Sequence, residues 1–310
     1  MKITLAILTR IGQTVVTVFL LVTVVFFLLR VVGDPAELMV APEASRDDID
    51  ALRARFGLDQ PILVQYWHYL TGLVQFDFGM SMTQNRPAGQ IVLEHVAPTL
   101  MLTTLSLLVG VPLALVLGVI AALRRGKFVD IVATALATLG RAMPNFWFGL
   151  MLIIVFSVTL GWFPASGYGT WAQLVLPTVA LSVVVVADVT RLTRSSMIEA
   201  SQQDYVRTAY AKGAGPARAT VVHVLRNALI PVVTIVGLKT ATLISGSIII
   251  ETIFAVPGLG WLLIRSINTF DFTLIQATVI LIGLLVVITS LIVDVLYTLI
   301  DPRSRDVAKS

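Results

Sequence analysis

The stretch Pro98–Leu123, PTLMLTTLSLLVGVPLALVLGVIAAL, runs for 26 residues without a charged side chain. A hydrocarbon core about 30 Å thick is crossed by a helix of about 20 apolar residues, so this segment is long enough to span a bilayer. In lipid every backbone N–H and C=O must be satisfied, which makes an isolated apolar run a helix. Similar blocks recur on both sides of it. Ile11–Leu29 lies between Arg10 and Arg30, and Pro144–Trp162, extended backward to Asp130, forms a third block. Leu174–Ala187 is a shorter fourth, Leu229–Ile250 a fifth interrupted by Lys239, and Leu274–Val293 a sixth that continues past Asp294 toward Ile300. The expected fold is an all-α polytopic membrane protein with six transmembrane helices, at 11–32, 98–123, 130–162, 173–190, 229–250 and 274–300.

Composition agrees with this reading. The 310 residues are 57% hydrophobic and only 13% charged, with a mean hydropathy of +0.91; soluble domains carry about a quarter of charged residues. The absence of cysteine excludes disulfides, thiolate catalysis and Cys-ligated metal sites. The first block exceeds the apolar core of a secretory signal, and no small-x-small cleavage site follows Arg30, so it reads as a retained helix.

The basic residues are sorted by side. Of 22 Lys and Arg, fourteen fall in segments that alternation places on one face: Lys2, Arg10, Arg124, Arg125, Lys127, six between Arg191 and Arg226, and Arg303, Arg305 and Lys309. The positive-inside rule puts that face, with both termini, in the cytoplasm. The high pI of about 9.6 therefore reports orientation and is no sign of nucleic acid.

Two segments outside the bilayer are long enough for structure of their own. Residues 33–97 are extracytoplasmic in this reading and carry nine acids against four arginines. Ser45 is a candidate helix cap with Asp47 and Asp48 in the first turn; Ile49, Leu52 and Phe56 follow at helical spacing, and Gly57 ends the run. A second amphipathic stripe holds Ile62, Leu63, Tyr66, Trp67, Leu70, Leu73 and Val74. Residues 251–273 form a shorter extracytoplasmic loop. The cytoplasmic segment 191–228 is more than a connection requires. In it Tyr205, Val206, Ala209 and Tyr210 can share one helical face with Arg207, Thr208 and Lys212 to the side. Gly213–Ala214–Gly215–Pro216 then breaks the helix, and Pro231 stands near the first turn of the next span. Such a surface helix fits lipid headgroups or a groove in a partner.

Here the residues resemble a family. Asp204-Tyr205-Val206-Arg207-Thr208-Ala209, then Ala211-Lys212-Gly213 and Arg226-Asn227-Ala228-Leu229-Ile230-Pro231, resemble the coupling loop of ABC-importer permeases, most closely the first-permease type of the dipeptide/oligopeptide/nickel branch. Gly33-Asp34-Pro35, Phe56-Gly57-Leu58-Asp59-Gln60-Pro61, Pro144-Asn145-Phe146-Trp147, Gly161-Trp162-Phe163-Pro164, Glu251-Thr252-Ile253-Phe254 and Asp301-Pro302-Arg303 agree in order along the chain. The general pattern Glu-Ala-Ala-x3-Gly is departed from: aligned on Gly213, its first two positions are Arg207 and Thr208, and only Ala209 matches, a form the peptide branch often carries.

The resemblance implies a type I ABC-importer permease fold over 1–310, with the 33–97 insertion between helices 1 and 2 and a coupling helix between helices 4 and 5. It implies a second homologous permease, two ATP-binding subunits carrying ATP and Mg, and an extracytoplasmic substrate-binding protein, all at the bacterial inner membrane. The ATPase-coupling residues would be Asp204, Tyr205, Val206, Arg207, Thr208, Ala209, Lys212, Gly213 and Ala214. Short peptides are the expected substrate, with nickel chelates or glutathione-like compounds as alternatives. An ion-driven secondary transporter would commonly show inverted repeats, and none is visible.

The chain itself carries no phosphate-cradling Gly-x4-Gly-Lys-Ser/Thr string, no Gly-x-Ser-x-Gly elbow and no Gly-x-Gly-x-x-Gly loop. His68, His95 and His223 lack metal-ligand spacing, and His223 reads as a polar or packing residue of the coupling loop. Neither catalysis nor a resident cofactor is expected. Charges inside spans are costly and often functional. Lys239, about 15 Å into the fifth span, either faces the translocation path or pairs structurally with Asp188. Arg141 is expected to snorkel at the cytoplasmic interface, Asp294 to order the inner helix ends, and Glu251 to sit at the outer mouth.

Overall fold

The computed structural model describes the backbone of residues 2–39 and 45–300 and the side chains of 12–39 and 45–293. The side chains of Lys2, Arg10 and Asp294 and the whole of Arg303, Arg305 and Lys309 lie outside the described residues, so Asp294 has no structural account. Among the described residues the regular elements are all helices, with one isolated antiparallel bridge between Met80 and Pro87. Among the described residues five helices are long and apolar enough to cross a membrane, or six where the bent pair counts as one span. Two compact units divide the chain: residues 1–99 with 257–287, and residues 100–256 with 288–310.

In the first unit, α1 (Lys2–Val32) is followed by α2 (Pro35–Met39), α3 (Arg46–Phe56), α4 (Ile62–Val74) and α5 (Ala88–Glu94). Ser45 caps α3 and forms a reciprocal box with Asp48, while Gly57 closes it with φ +65°; a side chain there would be strained in the left-handed region. These are the start and stop signals present in the sequence. The segment is tied to α1 by side-chain bonds. Thr23 and Tyr66 hydroxyls lie 2.7 Å apart, Arg30 donates twice to Gln65 Oε1, and Arg53 joins Asp34, Glu37 and Asp50. The hydrogen bonds to Asp34 and Asp50 raise the pKa of the Arg53 guanidinium.

The same unit contains α13 (Leu259–Asn268) and the start of α14 (Phe272–Ile300). Asp271, fully buried, accepts from Ser81 Oγ at 2.5 Å, Thr83 N at 3.0 Å, Thr83 Oγ1 at 2.8 Å and Leu274 N at 3.0 Å. One carboxylate thus caps α14 and pins the turn that leads into α5. Four donors satisfy a charge that burial would otherwise penalise heavily.

The second unit begins with α6 (Val96–Leu123), whose first turn belongs to the first unit. Next come α7 (Phe128–Ala142) and α8 (Asn145–Leu152), the latter widening into a π turn at Ile153–Thr159. The sequence suggests one span over 130–162, but α7 and the following helix meet at 106°. Pro144 is the cause: the residue before a proline is driven out of the helical region, and Met143 sits at ψ 131°.

The helix of the fourth block extends past its apolar run. Helix α9 runs without interruption from Trp171 to Ser201, eleven residues beyond the expected end at 190. Arg191 and Arg194 end the apolar run but are good helix formers, and Thr193, Met197 and Ala200 keep the extension packed. Beyond α10 (Asp204–Ala211), α11 (Pro216–Arg218), a π turn at Ala219–Leu225 and α12 (Arg226–Ile253) form one continuous 38-residue helix. Pro216, not Pro231, occupies the first turn, where the missing N–H costs nothing; Pro231 lies inside the helix. The segment 191–228 is thus almost wholly helical, made of the end of α9, α10 and the start of the 38-residue helix.

Apolar helices gain little from leaving lipid, so close approach and interhelical hydrogen bonds hold them together. A Cβ at Gly118 of α6 would stand 2.6 Å from Thr193 Cβ and 2.8 Å from Thr190 O on α9. Thr190 Oγ1 donates across the same contact to Ala114 O at 3.3 Å, and Ser106 Oγ to Thr178 O at 3.3 Å. Around α9, Leu181, Val185, Ile250 and Phe254 are fully buried.

Candidate functional site

Helix α10 starts after Gln203 with Asp204 in its first turn, where a negative charge suits the helix dipole. It ends at Gly213, φ +83°, which lets Gly213 N and Ala214 N bond Tyr210 O and Ala209 O at 2.9 and 3.0 Å. Val206 and Ala209 are buried. Val206 packs with Met197 and Ala200 of α9 and Val224 and Ala228 of the following helix, flanked by Val119 and Ala122 of α6. Asp204, Arg207, Thr208 and Lys212 are exposed, as are Tyr205 and Tyr210 at 39% and 49%. The single face expected for Tyr205, Val206, Ala209 and Tyr210 is therefore divided: the aliphatic pair anchors the helix and both phenols stand outward. Partial burial still raises the Tyr205 pKa. Arg207 and Asp204 approach only to 3.8 Å, an exposed pair of little energetic weight. Ala214 is half-buried just past the glycine.

The second constellation lies among α7, α9 and α12. Asp188 on α9 meets Lys239 on α12 in a tight ion pair. It also accepts from Arg141 Nη1 at 3.1 Å and Arg191 Nη2 at 3.2 Å. Arg141 thus reaches a carboxylate where the sequence suggested interfacial snorkelling. Asp188 and Lys239 side chains are 13% and 18% exposed, whereas Arg141 is 62% exposed. Glu251, expected at the outer mouth, is fully buried and accepts from Ser247 Oγ at 2.8 Å. Its carboxylate faces the interior of the second unit.

Sequence reading missed one strong tie. Arg194 Nε and Nη2 grip both oxygens of Asp130 at 2.5 and 2.8 Å, and Gly126 N adds a third bond. The available signal was a lone acid at the start of an apolar helix, facing a segment rich in arginine. His223 lies in the π turn and its carbonyl accepts from Asn227. His95 stacks on Trp261 at 6.0 Å, and Arg265 covers the same indole at 5.1 Å. Among the described residues no three His, Asp or Glu side chains converge as metal ligands.

Comparisons with known proteins bear on these features. Residues 114–306 match the family described as "Binding-protein-dependent transport system inner membrane component", and residues 3–103 its N-terminal partner family, "Binding-prot-dependent transport system membrane comp, N-term". The chain is 40% identical over 300 residues to "Glutathione transport system permease protein GsiC" of Salmonella choleraesuis (strain SC-B67), covering 96% of this chain and 98% of that protein. The protein of the same name from Escherichia coli (strain K12) is 41% identical over 290 residues, 93% of this chain and 95% of the relative. In fold the chain is similar to the MetNI methionine ABC transporter in an inward-facing conformation, with TM-score 0.58 and 20% identity over 68% of this chain and 97% of the other. A histidine-bound amino acid ABC transporter gives 0.55 and 18%, over 67% and 93%.

Proposed function

This chain belongs to the family of binding-protein-dependent transport system inner membrane components, a multi-pass permease of an ABC importer, and from that premise we propose that it forms half of the translocation path for short peptides. A second, homologous permease supplies the other half, two ATP-binding subunits dock on the cytoplasmic face, and an extracytoplasmic protein delivers the substrate. Both termini are cytoplasmic in this arrangement. ATP and Mg belong to the docked subunits; this chain contributes motion and no catalytic group.

The observation that carries the coupling role is the geometry of α10. Val206 and Ala209 bind it to its own unit, while Tyr205, Arg207, Thr208 and Lys212 face outward for an ATPase cleft. A helix anchored on one side and presented on the other passes displacement of its partner to α9 and α12. Gly213 and Ala214 complete the turn that fixes it.

Lys239, Asp188 and Glu251 are assigned to the path, where the pairing of the first two leaves Arg141 and Arg191 as surplus positive charge for polar or anionic substrate groups. Glutathione-like compounds are a second reading, favoured by the names of the two GsiC relatives.

The test is reconstitution of the chain with its co-purifying subunits in vesicles. Expected is ATP-dependent accumulation of labelled dipeptide or glutathione that requires the binding protein. Arg207→Glu with Tyr205→Ala should uncouple hydrolysis from uptake while leaving the permease folded. Uptake by this chain alone, driven by an ion gradient, would overturn the reading.

A further inference from the structure

A cavity of about 300 Å³ in the first unit has no part in the function argued above. It lies between the C-terminal end of α1, the α3–α4 turn, the end of α4 and the start of α14. Three of its wall positions are Gly57, Gly72 and Gly79, so backbone forms part of the lining. Arg30, Tyr69 and Asp77 also line it, and their polar atoms are unevenly satisfied. Arg30 Nε and Nη2 both donate to Gln65 Oε1, at 3.1 and 2.7 Å, and its guanidinium lies 4.9 Å over the Phe26 ring. Arg30 Nη1 and Tyr69 Oη are buried with no hydrogen-bond partner among the described residues. Unpaired buried donors are uncommon and call for an explanation. Here two occur on residues that line one cavity, one of them a cation. Asp77, by contrast, is exposed, and its Oδ1 accepts from Gly79 N at 2.9 Å.

We propose that this cavity binds a small zwitterion, an amino acid or short peptide, with its carboxylate on Arg30 and Tyr69 and its ammonium toward Asp77. Two free donors match the two oxygens of a carboxylate, which a phosphate with more acceptors would leave under-satisfied. The positive group is inside and the negative one outside, so a ligand with separated charges has one orientation. A lipid headgroup phosphate would meet Asp77 with like charge. The volume is at the lower end of small-molecule sites. The site stands whether or not the chain moves peptides through a central path, because it uses none of the coupling or path residues.

The test uses the full chain purified with its native partners in nanodiscs of zwitterionic lipid, titrated with glycylglycine, glycylglycinamide and N-acetylglycine. Glycylglycine should bind, and removing its carboxylate or its ammonium should weaken binding at least tenfold. Tyr69→Phe keeps the ring stacked on Phe26 at 5.4 Å and should weaken glycylglycine about tenfold, the worth of one hydrogen bond to a charged group. Arg30→Gln should abolish this binding component. A path site would be insensitive to Tyr69→Phe, which separates failure of this proposal from failure of the transport reading. Equal affinity for glycylglycine and its amide, no change in Tyr69→Phe, or displacement of glycylglycine by anionic lipid would each overturn the proposal. So would occupancy by water only.

Discussion

Replacing Asp188 by leucine should damage the protein far more than replacing Lys239 by methionine, although the two share an ion pair. Asp188 has three cationic neighbours, Lys239, Arg141 and Arg191, and the last two remain at 3.1 and 3.2 Å when the lysine is gone. Lys239→Met therefore leaves a compensated carboxylate and costs roughly 1 kcal/mol, in the range of a partly exposed ion pair. Asp188→Leu removes the only carboxylate that pairs with Lys239 among the described residues. The arginines, 62% and 49% exposed, can turn outward, but the lysine is 18% exposed and lies in a membrane helix. Stranding a buried charge costs roughly 3–5 kcal/mol. The double variant removes both the charge and its partner, and should recover to within about 1 kcal/mol of the parent. The coupling between the two positions is then roughly 3–5 kcal/mol, well above the additivity expected of independent sites. Thermal unfolding midpoints of the three variants in nanodiscs rank these outcomes directly. The reasoning is refuted if Lys239→Met is as harmful as Asp188→Leu, or if the double variant is no better than Asp188→Leu.

Three further expectations follow from packing and capping. Gly118→Leu should destabilise the α6–α9 contact by about 3 kcal/mol or more, since even a Cβ meets Thr190 O at 2.8 Å; Gly118→Ala should be milder, and unfolding midpoints will order them. Asp271→Ala strips partners from the Ser81 and Thr83 donors and from the first turn of α14. It should cost roughly 2–4 kcal/mol and expose residues 80–87 to limited proteolysis. Ser45→Ala should speed amide exchange in Arg46–Phe56 about fivefold. Hydrogen bonds from Ser45 lower the Asp48 pKa, so the contribution of this cap is present above the ordinary aspartate value of 3.8. It is lost as pH falls through the lowered folded value, a change that exchange measured between pH 5 and 2 would detect.

Much of the architecture was legible because its causes are local. Ser45, Asp48 and Gly57 carry the start and stop of α3 in three residues, and hydropathy alone marks the blocks that cross lipid. What hydropathy cannot mark is where a helix ends in water. Arg191 closes an apolar run, yet α9 continues to Ser201 because Met197 and Ala200 find a neighbour in α10, a contact made by residues distant in sequence. Pro144 announces a break, but its 106° angle depends on how α7 and α8 pack on α9. In the candidate site, the α10 segment was visible as a motif, whereas its facing was not. Four residues around a 3.6-residue turn can be grouped several ways, and tertiary burial of Val206 and Ala209 chooses one. Asp188 was nameable as a partner for Lys239, and Arg191 sits one turn away on the same helix, but Arg141 reaches it from the end of α7.

The unbroken helix from Pro216 to Ile253 has a mechanical consequence. Thirty-eight residues make a rod about 57 Å long at 1.5 Å per residue, so a tilt of about 5° about one end carries the other by about 5 Å. Its wide π turn at Ala219–Leu225 lies at the end that packs on Val206. In the coupling arrangement proposed above, such a tilt started at α10 would move the helix end near Glu251, with Pro231 as a second weak point in the ladder.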